Sequence, residues 1–150
     1  MDTERDIAAV LAALAALERF WLALAGDDDL TLLRLTSAPL HERAGGGAGM
    51  CARLRERDRI EPDECRRMGT WSTAYILPDP PPAVGFVCLD NGGRTVPLTV
   101  PAGAPMLGRR PVMVLERDGV WRFTGMMGQP GWPEGTREVE IQRGPPKPVH

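Results

Sequence analysis

The sequence is short of the residues that carry chemistry. Its 150 residues include three cysteines (Cys51, Cys65 and Cys88), two histidines (His41 and His150) and one tyrosine, Tyr75. No Cys-x-x-Cys pair occurs. A structural zinc site needs four clustered ligands at short spacings, so no metal site is expected. An odd number of cysteines behind the acidic start MDTERD fits reduced thiols in a cytoplasm better than a disulfide framework, although a Cys51–Cys65 bridge stays open. The chain also lacks an excess of either charge. A net charge of −2 gives no electrostatic reason to expect nucleic acid. A clean apolar span is missing too. Residues 7–25 (IAAVLAALAALERFWLALA) come close, but a signal peptide opens with positive charge, and here the start is acidic. Glu18 and Arg19 stand inside the run, where a central Arg costs about 2.5–3.5 kcal/mol on insertion scales. A soluble helix is expected, with no membrane partner. No cofactor is expected either: the Gly-rich run 44–49 has no preceding strand and lacks the Lys-Ser/Thr of a phosphate loop.

What is present suits a folded domain. Hydrophobic residues make up 43% and charged residues 25%, near the globular average. A single domain of this length buries roughly 68–70% of its unfolded surface, enough for a core without staples. Ile7, Val10, Leu14, Leu17, Trp21 and Leu24 recur at spacings of three and four, and Leu11, Glu18 and Ala25 extend that stripe. This spacing predicts a helix of about 22 residues with one broad apolar face, filled out by alanines. Gly26 is expected to end it as a left-handed cap. Asp27, Asp28 and Asp29 then open a second, Leu-rich helix, because carboxylates favour a helix N-terminus. Pro39 closes that unit, AGGGAG (44–49) reads as a flexible link, and residues 50–67 read as a polar, salt-bridged helical region.

From residue 71 the hydrophobic period changes to two. Strands are expected at 71–77, 84–90, 94–100, 111–117 and 120–127. Asp118-Gly119 suits a tight hairpin turn between the last two. Pro97 marks its strand as an edge or a bulge. Residues 1–128 then make one domain, and the Pro-rich stretch 129–150 an extended or disordered tail.

The order of these elements is informative. A long N-terminal helix ends in FWLALAGDDDLTLLRL (20–35), and a strand meander closes with Asp118-Gly119-Val120-Trp121-Arg122-Phe123. The chain resembles the nuclear-transport-factor-2-like superfamily, in particular its SnoaL-like branch. The two motifs cover about a fifth of the chain, and element order extends the likeness over residues 5–128. The resemblance implies an α+β cone: N-terminal helices packed in a strongly curved antiparallel sheet, with an apolar pocket at the open end. It implies a hydrophobic small molecule as ligand. It is compatible with a cyclase- or isomerase-like enzyme of secondary metabolism, and equally with a non-catalytic module that forms a homodimer through the sheet.

Enzymes of this type use an Asp or His poised in the apolar cone, where burial raises a carboxyl pKa toward neutrality. No Asp or His falls in a strand interior here. The polar candidates are Tyr75 and Arg122, a pair able to orient a ligand carbonyl or carboxylate. Trp21, Trp71 and Met113 are candidates for the pocket wall. His41 is a candidate base in a loop. Cys51 and Cys65 neighbour Arg53 and Arg66, but no histidine is placed to activate a thiol. Strand 120–127 has two faces, one bearing Arg122 and the other Trp121 and Phe123, and its alternation leaves open which of them points inward.

Overall fold

The computed structural model describes residues 3–45, 47–58, 62, 71–78, 83–88, 112–117, 119–127 and 133–143. Among the described residues the named helices come first: α1 (Thr3–Ala25), α2 (Asp29–Arg34), α3 (Ala38–Ala44) and α4 (Met50–Asp58). Five strands follow: β1 (Trp71–Ile76), β2 (Ala83–Cys88), β3 (Val112–Arg117), β4 (Trp121–Met127) and β5 (Arg137–Arg143). They form one antiparallel sheet in the order β4-β3-β2-β1-β5. The fold is α+β, as the sequence pattern implies. The sheet is open, with β4 and β5 as its edges, and is not closed into a barrel. The strand expected at 94–100 and residue Cys65 lie outside the described residues.

The apolar stripe of α1 becomes the centre of the core. Val10, Leu14, Leu17, Phe20, Trp21 and Leu24 are buried, and they pack on the inner sheet face of Ala74, Ile76, Val84, Phe86, Leu115 and Phe123. Phe20 meets Phe123 with ring centroids 4.3 Å apart. The stripe starts one turn later than its spacing suggests: Ile7 is 43% and Leu11 46% exposed. The first turn is held differently, by Asp6. Its carboxylate accepts from Nε and Nη2 of Arg137 at 2.8 and 2.9 Å, tying the start of α1 to β5.

The three consecutive aspartates after α1 do three different jobs. The left-handed residue at the end of α1 is Asp27 (φ 56°), which corrects the expectation for Gly26. Gly26 N–H still donates to Leu22 at 3.0 Å, so the helix runs on through it, and Asp28 N–H reaches back to Ala23 O at 3.0 Å. That backward bond is the Schellman closure, and it puts the positive φ one residue after Gly26. Asp tolerates this conformation better than most residues, and Arg55 holds it there. The guanidinium pairs with Asp27 at 2.7 Å and donates to Leu24 O, one of the carbonyls α1 leaves open. Asp28 caps α2, accepting from Thr31 N–H at 3.2 Å. Asp29 caps a helix it does not belong to: it accepts from Gly49 N–H at 2.7 Å and Cys51 N–H at 2.9 Å at the start of α4.

Pro39 starts a helix rather than ending one. Ser37 precedes α3 in extended conformation (φ −79°, ψ 159°) and Pro39 sits in the first turn, where its missing N–H and fixed φ are favourable. His41, expected in a loop, is therefore on α3. Gly45 closes α3 with φ 71°, and its N–H donates to His41 O.

The sheet departs from a regular ladder in ways that shape its ends. Arg117 pairs with Trp121, so the β3–β4 connection spans residues 118–120, with Gly119 at φ 69°: a three-residue hairpin instead of the expected two-residue turn. Leu115 pairs with Phe123 and Val114 with Gly125, which leaves Thr124 as a bulge. Thr124 Oγ1 donates to Val114 O at 2.7 Å across it. The outer edge of β4 is covered by the segment between α2 and α3: Phe123 N–H donates to Leu35 O at 2.6 Å, and Ser37 N–H donates to Phe123 O at 3.0 Å. The stretch expected as a tail supplies β5, which pairs with β1 in register Tyr75↔Glu138 and Ala74↔Val139. The ordered sheet thus continues past residue 128, because Val139 is a partly buried residue packed on the core.

Candidate functional site

The residues singled out from sequence do not converge. Trp21 is 2% exposed within the core, and its indole Nε1 has no hydrogen-bond partner among the described residues. Trp71 lies in β1 opposite Cys88 and Arg143, and Met113 in β3 opposite Phe86 and Met126. Tyr75 alternates with the inward Ala74 and Ile76 and so stands on the outer sheet face, opposite Gly85 and Glu138. Arg122 is opposite Glu116. β2 and β3 stand between Tyr75 and Arg122, a separation of roughly 14 Å at ~4.8 Å per strand, so the two are not a pair. The face of β4 is now clear: Phe123 is fully buried and Trp121 packs on the core, which turns Arg122 away from it.

Arg122 instead helps line an open groove of about 690 Å³, where α1, the α2–α3 segment and the β3–β4 hairpin meet. Leu33, Leu35, Ala38, Pro39 and Val120 make its apolar wall. Arg19, Arg34, Arg122 and Glu116 bring charge, and Thr36, Ser37 and His41 bring hydroxyls and an imidazole. The covering of the β4 edge builds this place. Pinning Leu35 and Ser37 to Phe123 fixes the α2–α3 segment beside the hairpin end where Glu116 and Arg122 face each other.

The three polar residues of the segment differ in their hydrogen bonding. Thr36 is 1% exposed and its hydroxyl donates to Leu32 O at 2.9 Å. His41 is half-buried, with Nε2 3.1 Å from Leu33 O and also hydrogen-bonded to Thr36 Oγ1. One assignment satisfies all three contacts: Nε2 carries the proton, and Thr36 Oγ1 accepts from it while donating to Leu32. Ser37 is the exception. It is 8% exposed, its N–H is used by Phe123 O, its carbonyl accepts from His41 N–H at 3.0 Å, and its hydroxyl has no partner among the described residues. A buried polar group without a partner costs about 1–3 kcal/mol.

The one described free thiol is a different case. Cys51 is fully buried, donates from Sγ to Ala23 O at 3.4 Å, and is pushed from 9.0 up to about 12 by burial and by the neighbouring Asp29. A thiol so held is not a nucleophile at neutral pH. The Asp29 carboxyl lies below its ordinary range because the N–H groups of Cys51 and Gly49 bond its charged form. Among the described residues no three His, Cys, Asp or Glu side chains cluster as metal ligands.

Sequence reasoning missed Ser37, Arg19 and Arg34 and misplaced His41. One signal was available: Ser37-Ala38-Pro39 is a helix-start pattern, with a capping residue followed by Pro in the first turn. Read that way, it puts Ser37 and His41 one helical turn apart on the same side. Comparison with protein families, with curated proteins and with solved structures finds no match for this chain.

Proposed function

We propose that this chain is a small-molecule-binding domain of the nuclear-transport-factor-2-like type, which takes a ligand with an apolar body in the groove beside the β4 edge. The carrying observation is Ser37, a residue that lines the groove and whose buried hydroxyl has no hydrogen-bond partner among the described residues. Such a group calls for an explanation, and a ligand that completes it is one. The volume supports this, since small-molecule sites commonly span roughly 300–1,000 Å³. Helices before an antiparallel meander support the family. The bulges in β1 and β4 favour the curvature of a cone. In a cyclase- or isomerase-like reaction His41 is the group suited to move a proton, being half-buried at the groove with its Nε2 oriented by Leu33 O and Thr36.

Thermal-shift screening against apolar carbonyl compounds tests the binding. A true ligand raises the Tm of the wild type, by about 2.7 kcal/mol of stability at a hundred times its Kd. The rise disappears in Ala38→Trp, which fills the groove from an exposed position. A rise that survives Ala38→Trp puts the ligand elsewhere.

A second reading, a non-catalytic homodimer, draws support from α1. Ile7, Leu11 and Leu22 share one face and are 43%, 46% and 63% exposed, which suits a second copy seated there. The sheet expected as the interface carries exposed Glu138 and Glu140 instead. Light scattering on wild type and Leu11→Glu decides: a dimer that dissociates on substitution supports this reading, and a monomeric wild type ends it.

A further inference from the structure

The charge of the groove is out of keeping with the rest of the chain. The whole sequence carries a net −2, yet the described residues that line the groove include three arginines and one carboxylate. Glu116 is the cross-strand neighbour of Arg122. Arg19 and Arg34 are exposed and have no hydrogen-bond or ion-pair partner among the described residues. Two guanidiniums without a described partner therefore line the same groove as Ser37, whose buried hydroxyl has no hydrogen-bond partner among the described residues.

We infer that the groove takes an amphipathic organic carboxylate, its anion held by Arg19 and Arg34 and hydrogen-bonded by Ser37 Oγ, and its apolar body laid on Leu33, Pro39 and Val120. This rests on the small-molecule reading above and names its ligand class. A planar guanidinium binds a carboxylate through two parallel hydrogen bonds, and a hydroxyl with both donor and acceptor free completes the anion's shell. Phosphate fits less well. Its sites lean on free backbone N–H groups, and here the N–H of Ser37 is spent on Phe123 O while Pro39 has none. A nucleic-acid strand is disfavoured because the described residues that line the groove include no aromatic side chain on which a base can stack. A neutral apolar ligand would leave both guanidiniums unused.

The test is a matched set of probes, decanoate and decanol, 1-naphthoate and 1-naphthalenemethanol, with inorganic phosphate as a third class. Titration is followed by amide chemical shifts, so that the groove is separated from the exposed face of α1. The expected result is shifts at Leu35, Ser37, His41 and Val120, with each acid bound at least about tenfold more tightly than its alcohol, the value of one charge-assisted hydrogen bond. Arg34→Gln and Arg19→Gln, both at exposed positions, each weaken the acids by about tenfold and leave the alcohols unchanged. Glu116→Gln strengthens the acids, because it removes the only carboxylate among the described residues that line the groove. Acid and alcohol binding the groove equally, with no effect of either arginine, overturns the carboxylate inference and leaves the small-molecule reading standing. Phosphate binding as tightly as the acids also overturns it. Shifts confined to Ile7, Leu11 and Leu22, or no binding by any probe, overturn both.

Discussion

Residues 27–29 and 36–41 are a few positions apart in the chain and treat their polar groups in opposite ways. Around Asp27–Asp29 each described polar side chain is answered: Asp27 by Arg55, Asp28 by Thr31 N–H, Asp29 by two N–H groups of α4. Around Ser37 a buried hydroxyl is left open, and two nearby arginines have no partner among the described residues. The polar groups that hold this turn are closed within the protein. Polar groups left incomplete in a concave place are where a ligand has something to add.

The largest test of that contrast is Asp29→Ala. It leaves two α4 N–H groups without an acceptor, and the Tm is expected to fall by about 3–6 °C, the usual effect of losing a helix cap in a chain of this size. An unchanged Tm would mean that water serves α4 equally well, and the contrast would lose its structural half.

A pH scan comes next. Asp29 and Asp6 both ionise more easily in the folded state, Asp29 through the Cys51 and Gly49 N–H groups and Asp6 through Arg137. Their contribution is complete above the unfolded carboxyl pKa, about 4, and is lost as pH falls through the lower folded values. Cys51 works in the other direction. Its thiol stays protonated up to about 12 in the fold but ionises near 9.0 when unfolded, so its contribution is lost as pH rises between these values. Stability should therefore form a plateau between about pH 4 and 9. Asp29→Ala should flatten the acid side and Cys51→Ala the alkaline side. An acid side with the same slope in Asp29→Ala would remove Asp29 from the account.

The smallest effect is expected at Ser37, with the opposite sign. Ser37→Ala removes an unsatisfied hydroxyl, so the Tm should stay level or rise by about 2 °C. A fall of several degrees would show that the hydroxyl is already partnered, and the groove would lose its open end.

The two regions also differ in how far the sequence discloses them. α1 is readable because Val10, Leu14, Leu17, Trp21 and Leu24 repeat with one period and meet one sheet face. The β3–β4 hairpin is readable because its two strands are neighbours in the chain. β5 is not: its Val139 and Ile141 alternate with charges as an edge strand's residues do, among prolines that suggest a tail, and its partner β1 lies far back in sequence. The left-handed Asp27 is hidden because its support, Arg55, comes from another helix. The groove is hidden for the same reason on a larger scale. Arg19, Ser37 and Arg122 come from three parts of the chain, and periodicity assigns each a face but not a neighbour.

The segment that covers β4 has one further consequence, for the order in which the chain is made. Leu35–Ser37 precedes β4 by more than eighty residues, so the edge of β4 meets its cover as soon as it leaves the ribosome. β1 has no such protection. Its second edge stays open until residue 143 has been made and β5 can close it. A chain arrested before β5 would expose that edge to other copies of itself, so β1 is where aggregation of an unfinished chain would begin.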